Sequence, residues 1–213
     1  DEIFYGYSTF KNAKKINALN MLPLFIIFLI TKKIKLEKLD FLKIGGDVSI
    51  YLPSRTVFSP IETAKILDTN VDFIYKVLIE NLNQYNPSNI KYLDDKMSFF
   101  ELNLYMKNQL LRDTDVFGMA HSLEIRVPFL DKDLVNYVLK INPKHKYKKN
   151  INKSLLVDAT KDLVPSEIIN RKKMGFELPF KYWFKNNINN FNINETIQRD
   201  FLKNKIHWSK VWS

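Results

Sequence analysis

Apolar residues recur at helical intervals along most of the chain, with polar residues between them. The clearest case is 94–115, where apolar positions three, four and seven residues apart predict a helix with one buried face. The apolar residues that carry this pattern are Met97, Phe100, Leu104 and Leu111. The stretch 71–82 has the same periodicity and is also expected to be helical.

Capping residues mark where two further helices begin. Ser59, followed by Pro60 and by Glu62 three residues on, predicts a capping box at the start of a helix over 59–67. Asp131 stands at the N-cap position of the next apolar-periodic segment. We therefore expect a structural role for the Asp131 carboxylate.

The remaining segments are shorter and less regular. Short helices are predicted within 11–44, over 153–163 and over 165–171. A turn is predicted at 86–89, and two glycines before a β-branched and aromatic run leave a loop or a short strand as alternatives for 45–54. The sequence contains no repeats and no clean linker, so we expect one mostly α domain over residues 1–213.

The most hydrophobic stretch is "MLPLFIIFLI" at 21–30. A membrane-spanning helix needs about 20 residues, and no small-residue cleavage pattern of a secretory signal follows this stretch. A buried helix is therefore expected at 21–30. We expect a cytoplasmic protein with no membrane partner.

Composition excludes several classes of chemistry. The chain has no cysteine, so disulfides, thiolate zinc sites and a cysteine nucleophile are excluded. The formal net charge is +10, but the lysines are scattered, so we expect no nucleic-acid partner. None of the five glycines forms a phosphate-binding loop of the usual spacing. We therefore interpret the chain as a fragment whose phosphate loop lies elsewhere.

Three stretches resemble the glutamine-hydrolysing asparagine synthetases. "YMKNQLLRDTDVFGMAHSLEIRVPFLD" (105–131) looks like the family's Leu-Leu-x-x-x-Asp run followed by Met-Ala-His-x-Leu-Glu-x-Arg-x-Pro-Phe-Leu-Asp. "KSLLVDATKDLVPSEIINRKKMGFELPF" (153–180) is similar to its Lys-x-x-Leu stretch, its Leu-x-Pro-x-x-Ile helix and its Arg-x-Lys-x-Gly-Phe loop. "DEIFYGY" (1–7) resembles the end of its Gly-Gly-Asp-Glu-Leu-Phe-Gly-Gly-Tyr motif.

This resemblance implies both a fold and a reaction. The chain would be the helical C-terminal portion of an α/β adenine-nucleotide α-hydrolase-like (PP-loop ATP pyrophosphatase) domain. Its partners would be the PP-loop region and the N-terminal glutaminase domain of the parent enzyme, and a homodimer is compatible with the sequence. ATP and Mg²⁺ would adenylate aspartate, and ammonia from glutamine would attack the acyl-adenylate. The fragment alone is expected to be inactive.

By the same resemblance, Asp1 is the Mg²⁺ ligand and Glu2 lies beside the nucleotide. Mg²⁺ bound through one or two carboxylates neutralises charge that builds up when pyrophosphate leaves. The alternative is that both acidic residues only favour the dipole of a following helix.

Three further residues match basic or glycine positions of the family. Lys173 is implied to be catalytic because its charge would stabilise the negative charge that develops on the adenylated carboxyl. Gly175 would let this loop approach the substrate closely, and Lys153 would face phosphate. A solvated basic turn for Lys173 and an ordinary helix-surface lysine for Lys153 are the alternatives.

The charged residues of 113–126 are open to two interpretations. Glu124 and Arg126 satisfy the requirement that buried charges be paired, and they either brace a core or shape the acyl-acceptor end of a cleft. Asp115, which fits the family position better than Asp113, is implied to lie near the reacting amine, although a carboxylate in a helix C-terminal loop is the simpler alternative. We assign no catalytic role to His121.

Three functions remain open at this stage. The first is ATP-dependent conversion of aspartate to asparagine. The second is the same adenylation of another carboxylate, by an amidotransferase or cyclase of polysaccharide or peptide biosynthesis. The third is a truncated, non-catalytic homologue that binds a partner.

Overall fold

Nearly all of the regular structure is helical, as the periodicity predicts. The computed structural model describes residues 1–20, 36–148, 151–171, 179–190 and 195–203. Within these ranges there is no β-strand, although Lys148 and Ile151 form an isolated antiparallel bridge. The α-helices are α1 (Ser8–Asn20), α2 (Val48–Arg55), α3 (Pro60–Ile66), α4 (Val71–Leu82), α5 (Leu93–Phe100), α6 (Arg112–Ala120), α7 (Lys132–Lys140), α8 (Pro143–Lys146), α9 (Ser154–Thr160), α10 (Ser166–Asn170), α11 (Phe180–Asn187) and α12 (Glu195–Leu202). A π-helical segment occupies Glu101–Leu111. Tighter 3₁₀-helical turns occupy Leu36–Ile44, Pro128–Leu130 and Ile188–Asn190.

The predicted helix starts are confirmed at the level of individual hydrogen bonds. The Glu62 backbone N–H donates to Ser59 Oγ, and the Ser59 N–H donates to the Glu62 carboxylate, which completes the capping box of α3. Asp131 Oδ1 accepts from the backbone N–H groups of Asp133 and Leu134, both at 3.0 Å, and so caps α7. These side chains satisfy helix N–H groups that would otherwise lack partners.

The helix predicted over 94–115 forms within a longer helical rod from α5 to α6. Its middle segment, Glu101–Leu111, has the wider turns of a π-helix. A π-helix has more residues per turn than an α-helix, so it rotates the side chains that follow it. Met97 and Phe100 are fully buried in the core, whereas Leu111 lines a cavity on another side of the rod.

The prediction of a loop or short strand at 45–54 is wrong. Gly45 and Gly46 form a turn at positive φ, and the β-branched and aromatic residues that follow form α2. Strand propensity is weak and is overridden by packing. Here the residues from Val48 to Pro53 are buried, and α2 packs against α1, α5 and the tight turns of Leu36–Ile44.

The chain begins with a segment that lies between two hydrophobic clusters. The larger cluster joins this segment to α1, α2 and α5, with buried residues Tyr5, Phe10, Ala13, Ile16, Phe41, Val48, Ile50, Tyr51, Leu52, Met97 and Phe100. The second joins Ile3 and Phe4 to Val138 of α7 and, more peripherally, to Leu155 and Leu156 of α9. Residues 1–7 are therefore held by packing on both sides, although they form no regular element.

Two of the sequence predictions fall outside the described residues. These are the buried helix at 21–30 and the loop around 172–178. Among the helices that the structure does describe, none is long and apolar enough to cross a bilayer.

Candidate active site

The amino-terminal segment folds back on itself at a glycine. The Gly6 backbone N–H donates to the Asp1 carbonyl oxygen at 2.8 Å. A Cβ added to Gly6 would lie 1.8 Å from Asp1 Oδ1 and 2.8 Å from Lys153 Cε. Real Cβ atoms do not approach other atoms so closely. The absence of a side chain at Gly6 therefore leaves the space above its Cα to the Asp1 and Lys153 side chains, which a Cβ would displace.

Above Gly6, Asp1 and Lys153 form an ion pair between residues that are far apart in sequence. The Lys153 Nζ lies 2.9 Å from Asp1 Oδ1, and both side chains are partly exposed, at 32% and 21%. The structure thus brings together two of the residues that the sequence predicted to handle phosphate and its metal ion. Their separate roles remain predictions.

Two non-glycine residues at this site have left-handed backbone conformations. Tyr5 has φ 56°, and Lys153 has φ 53° and ψ 42°. This conformation costs a side-chain-bearing residue about 1–2 kcal/mol and persists only where the surrounding structure enforces it. The motif that residues 1–7 resemble has glycine where this chain has Tyr5. Such strain is common at functional sites.

The contacts of Tyr5 hold it in this conformation. Its hydroxyl donates to Asp95 Oδ1 at 2.6 Å, and the fully buried Lys146 Nζ lies 3.0 Å from the same oxygen. The Lys146 carbonyl oxygen in turn accepts a hydrogen bond from Ser154 Oγ at 2.8 Å, at the start of α9. This cluster therefore connects residues 1–7 with the helix that follows Lys153.

Glu2 is held at two points. Its carbonyl oxygen accepts from Ser98 Oγ at 2.7 Å, and its Oε1 accepts from the Tyr7 hydroxyl at 2.9 Å. These two hydrogen bonds fix both the backbone and the carboxylate of Glu2.

A cavity of about 290 Å³ opens beside these charged groups. Asp1, Glu2 and Lys153 contribute its charged side chains, and the rest of the lining is mostly apolar. The other lining residues are Ile3, Phe4, Met106, Leu110, Leu111, Thr114, Val127, Phe129, Leu130 and Leu156. The cavity can therefore accommodate a substrate whose reacting end is charged and whose body is less polar.

The donor set at this site fits Mg²⁺ bound mainly by phosphate and water. Asp1 and Glu2 supply adjacent carboxylates, and within the described ranges no group of three or more His, Asp and Glu side chains could form a protein cage for a metal. Mg²⁺ keeps several waters and commonly takes only one or two protein carboxylates together with substrate phosphates. Asp1 and Glu2 are the residues that would hold it.

Glu124 and Arg126, the predicted pair of the 113–126 segment, lie on the surface. Glu124 and Arg126 do pair, with Arg126 Nη2 2.9 Å from Glu124 Oε1, but their side chains are 72% and 83% exposed. Asp113, Asp115 and His121 are exposed as well, although Thr114 between the two aspartates lines the cavity. The pairing was thus predicted correctly, but the expected buried setting is wrong for the described structure, and the roles of Glu124, Arg126 and Asp115 remain predictions.

Lys173 and Gly175 lie outside the described residues, so their predicted roles are likewise untested. Gly6, Tyr7 and the Asp95–Lys146 pair were not predicted as parts of the site. Gly6 and Tyr7 both fall inside the "DEIFYGY" motif, whereas Asp95 and Lys146 lie in none of the three motifs.

Comparison with known proteins gives a consistent result. The family model described as asparagine synthase matches residues 1–205. The chain is 36% identical over 136 residues to a Bacillus subtilis asparagine synthetase [glutamine-hydrolyzing] 1, covering 56% of this chain and 21% of that protein. It is 45% identical over 79 residues to the human asparagine synthetase [glutamine-hydrolyzing], covering 32% and 14%. It is also 34% identical over 86 residues to amidase chry2 of Gibberella zeae, covering 37% and 13%.

These matches span about a fifth or less of the length of each curated relative. No solved structure matches the chain.

Proposed function

Since this chain belongs to the asparagine synthase family, we propose that it supplies part of the active site of an ATP-dependent ligase that amidates a carboxylate, with aspartate as the first candidate. The observation that carries the proposal is the Asp1–Lys153 pair above Gly6, in the lining of a cavity. At such a pair, the acidic group can bind a metal ion and the basic group can bind the pyrophosphate that leaves with it. We further propose that the single domain 1–213 works with a PP-loop segment and a glutaminase domain, in the cytoplasm.

The proposed reaction has two balanced steps. A carboxylate oxygen of the substrate attacks the α-phosphorus of ATP, and pyrophosphate leaves as the acyl-adenylate forms. Ammonia derived from glutamine then attacks the acyl carbon, AMP leaves with the carboxylate oxygen, and the nitrogen loses a proton. Mg²⁺, when bound, would neutralise the charge that develops on the pyrophosphate oxygens.

Each candidate site residue of this chain has a proposed role in that reaction. Asp1 and Glu2 would hold the metal and the nucleotide beside the cavity, and Lys153 would contact phosphate. Lys173 would stabilise the charge on the adenylated carboxyl, and Gly175 would allow its loop to come close. Asp115, Glu124 and Arg126 would lie toward the amine and acyl-acceptor end.

The apolar lining of the cavity favours a second candidate. Aspartate is small and doubly charged, whereas most of the lining beyond Asp1 and Lys153 is aliphatic or aromatic. A larger carboxylate with an apolar body fits that surface better. The alternative function is therefore the same adenylation chemistry on a carboxylate of polysaccharide or peptide biosynthesis.

Pyrophosphate release distinguishes these possibilities. The assay uses the full-length protein that contains this chain, with ATP, Mg²⁺, glutamine and a panel of carboxylates. Release with aspartate supports the first candidate, and release only with a larger carboxylate supports the second. No release with any carboxylate from a folded protein would leave the non-catalytic homologue and overturn the proposal.

Substitution of Gly6 tests the observation on which the proposal rests. Gly6→Ala would push the Asp1 carboxylate and the Lys153 stem apart, because the new methyl group would overlap both. A misplacement of about 1 Å commonly costs about 100-fold in rate, which is the loss of turnover that we expect. A Gly6→Ala enzyme with wild-type turnover would show that the pair is not part of the reaction.

Lys173→Ala tests the predicted catalytic lysine separately. Loss of a charge that stabilises the transition state should lower turnover by at least about 100-fold, or about 2.7 kcal/mol. Lys172→Ala, one position earlier in the same basic stretch, is the matched control and should retain turnover within a few-fold. Equal rates for the two variants would remove Lys173 from the mechanism.

A further inference from the structure

Arg55, at the end of α2, forms a bidentate pair with a fully buried glutamate. Its Nε and Nη2 donate to the two carboxylate oxygens of Glu101 at 2.8 and 2.7 Å. Glu101 has no exposed side-chain surface, and the Tyr51 hydroxyl lies 3.4 Å from its Oε2. Two parallel hydrogen bonds fix the plane of the guanidinium group as well as its position.

The fixed guanidinium contacts two tyrosine rings. The centre of the Arg55 guanidinium lies 4.1 Å from the centroid of the Tyr7 ring and 4.1 Å from that of the Tyr105 ring. The two rings are nearly perpendicular, at 84°, with centroids 6.2 Å apart, so they meet the cation from two adjacent sides. A guanidinium group close to an aromatic face is attracted to it electrostatically. The guanidinium therefore holds the Tyr7 ring through a contact that does not involve the Tyr7 hydroxyl.

The Tyr7 hydroxyl connects the contact with Arg55 to the candidate active site. It donates to Glu2 Oε1 at 2.9 Å, and Glu2 lines the cavity beside Asp1. Glutamate has several rotatable bonds, so one firm hydrogen bond removes much of its side-chain freedom.

We propose that Arg55 and Tyr7 are positioning residues: the Arg55–Glu101 pair fixes the Tyr7 ring, and the Tyr7 hydroxyl fixes the Glu2 carboxylate for the metal–nucleotide complex. This inference rests on the proposed function. It assigns a role in the site to α2 and to the start of the π-helical segment, which are remote in sequence from residues 1–7.

The two tyrosines that flank Arg55 provide a matched pair of variants. Tyr7→Phe keeps the ring on the guanidinium and removes the donor to Glu2. Tyr105→Phe makes the same chemical change on the other ring that contacts Arg55, where the structure gives no hydrogen bond to Glu2. Both should fold normally, and equal melting temperatures would establish that neither substitution acts through global stability.

Two measurements on the full-length protein test the inference. In pyrophosphate release, Tyr7→Phe should raise the apparent KM for Mg²⁺·ATP by about 10-fold with a smaller change in kcat, the size typical of lost partners behind a metal ligand. In Mn²⁺ titrations followed by water-proton relaxation, Tyr7→Phe should weaken metal binding by a similar factor. Tyr105→Phe should match the wild type in both assays.

The outcomes separate this inference from the proposed function. If the wild type releases pyrophosphate and Tyr7→Phe behaves like Tyr105→Phe in both assays, the positioning role is wrong and the function stands. If the wild type releases no pyrophosphate but Tyr7→Phe alone weakens Mn²⁺ binding, the function is wrong and the positioning role stands. If there is no release and all three proteins bind Mn²⁺ equally, both are wrong.

Arg55→Lys independently tests whether Arg55 fixes the Tyr7 ring. Lysine keeps the charge but cannot form the bidentate pair with Glu101. It should reproduce the Mn²⁺ and KM effects of Tyr7→Phe, although the Tyr7 hydroxyl is intact. Wild-type values for a folded Arg55→Lys protein would show that Tyr7 positions Glu2 without help from Arg55.

Discussion

Two arginine–glutamate pairs in this chain have the same chemistry and opposite surroundings. Arg55 and Glu101 are 46 positions apart and join α2 to the long helical rod, with side-chain exposures of 19% and 0%. Arg126 and Glu124 are two positions apart in one extended segment, with exposures of 83% and 72%. The charged groups approach to 2.7 Å in the first pair and 2.9 Å in the second.

The difference shows that the distance between charges says little about what a pair contributes. The exposed pair is hydrated with or without its partner, so its net contribution is small. In the buried pair each charge depends on the other because water does not replace a lost partner. The buried pair also fixes two elements relative to each other, whereas the exposed pair restrains only its own segment.

The largest predicted effect is loss of the buried acceptor. Glu101→Ala should lower the free energy of unfolding by about 3–5 kcal/mol, because it leaves the Arg55 guanidinium without its bidentate partner in a largely buried position. Chemical denaturation with matched m-values measures this change. Glu124→Ala, the same substitution in the exposed pair, is the control and should change stability by less than about 1 kcal/mol. Similar losses in the two variants would remove the contrast between the pairs.

The next largest effect on stability is expected at two lysine–aspartate ion pairs, which involve the neighbouring residues Asp94 and Asp95. Lys146, which is fully buried, pairs with Asp95, whereas Lys14, which is 53% exposed, pairs with Asp94 at 2.8 Å. Lys146→Met should cost about 2 kcal/mol, less than a fully buried break because Asp95 keeps the Tyr5 hydroxyl as a donor. Lys14→Met should cost less than about 1 kcal/mol. Equal unfolding free energies for the two variants would show that burial does not govern these pairs.

Much of the helical fold was predictable because its signals are local. The helix over 71–82 has the predicted bounds, and the capping residues Ser59 and Asp131 act as predicted. Helix α2 was not predictable, since its β-branched residues become helical through contacts with α1 and α5. The π-helical turns of Glu101–Leu111 likewise left no signal in the apolar spacing.

The candidate site was predictable as a set of residues but not as an arrangement. Asp1, Glu2 and Lys153 were named from motifs, and no local signal indicates that Lys153 folds onto Gly6. Glu101 and Glu124 look alike in sequence, each an acidic residue within an apolar run. Only tertiary contacts bury the first and leave the second exposed, together with its apolar neighbours Leu123 and Ile125.

A smaller loss of stability is expected when the Asp131 cap of α7 is removed. Asp131 ends the run that contains Glu124 and Arg126, and its carboxylate accepts two backbone N–H bonds at the start of α7. Asp131→Ala should lower the free energy of unfolding by about 1 kcal/mol, the usual cost of a lost N-cap. Asp131→Asn, which keeps an accepting oxygen, should recover most of that loss. An equal loss in both variants would indicate that the charge of Asp131, and not its cap, stabilises this region.

The smallest effect is the coupling energy of the exposed pair itself. A double-mutant cycle with Glu124→Gln and Arg126→Gln should give an interaction below about 0.5 kcal/mol, and added salt should reduce it further because the pair is exposed to solvent. The same cycle with Glu101→Gln and Arg55→Gln should give a coupling several times larger and almost independent of salt. A salt-insensitive coupling above about 2 kcal/mol between Glu124 and Arg126 would mean that the pair is buried in the working protein. The run from Met119 to Asp131 would then be an interior surface of a larger assembly, and the contrast between the two pairs would hold only for the chain by itself.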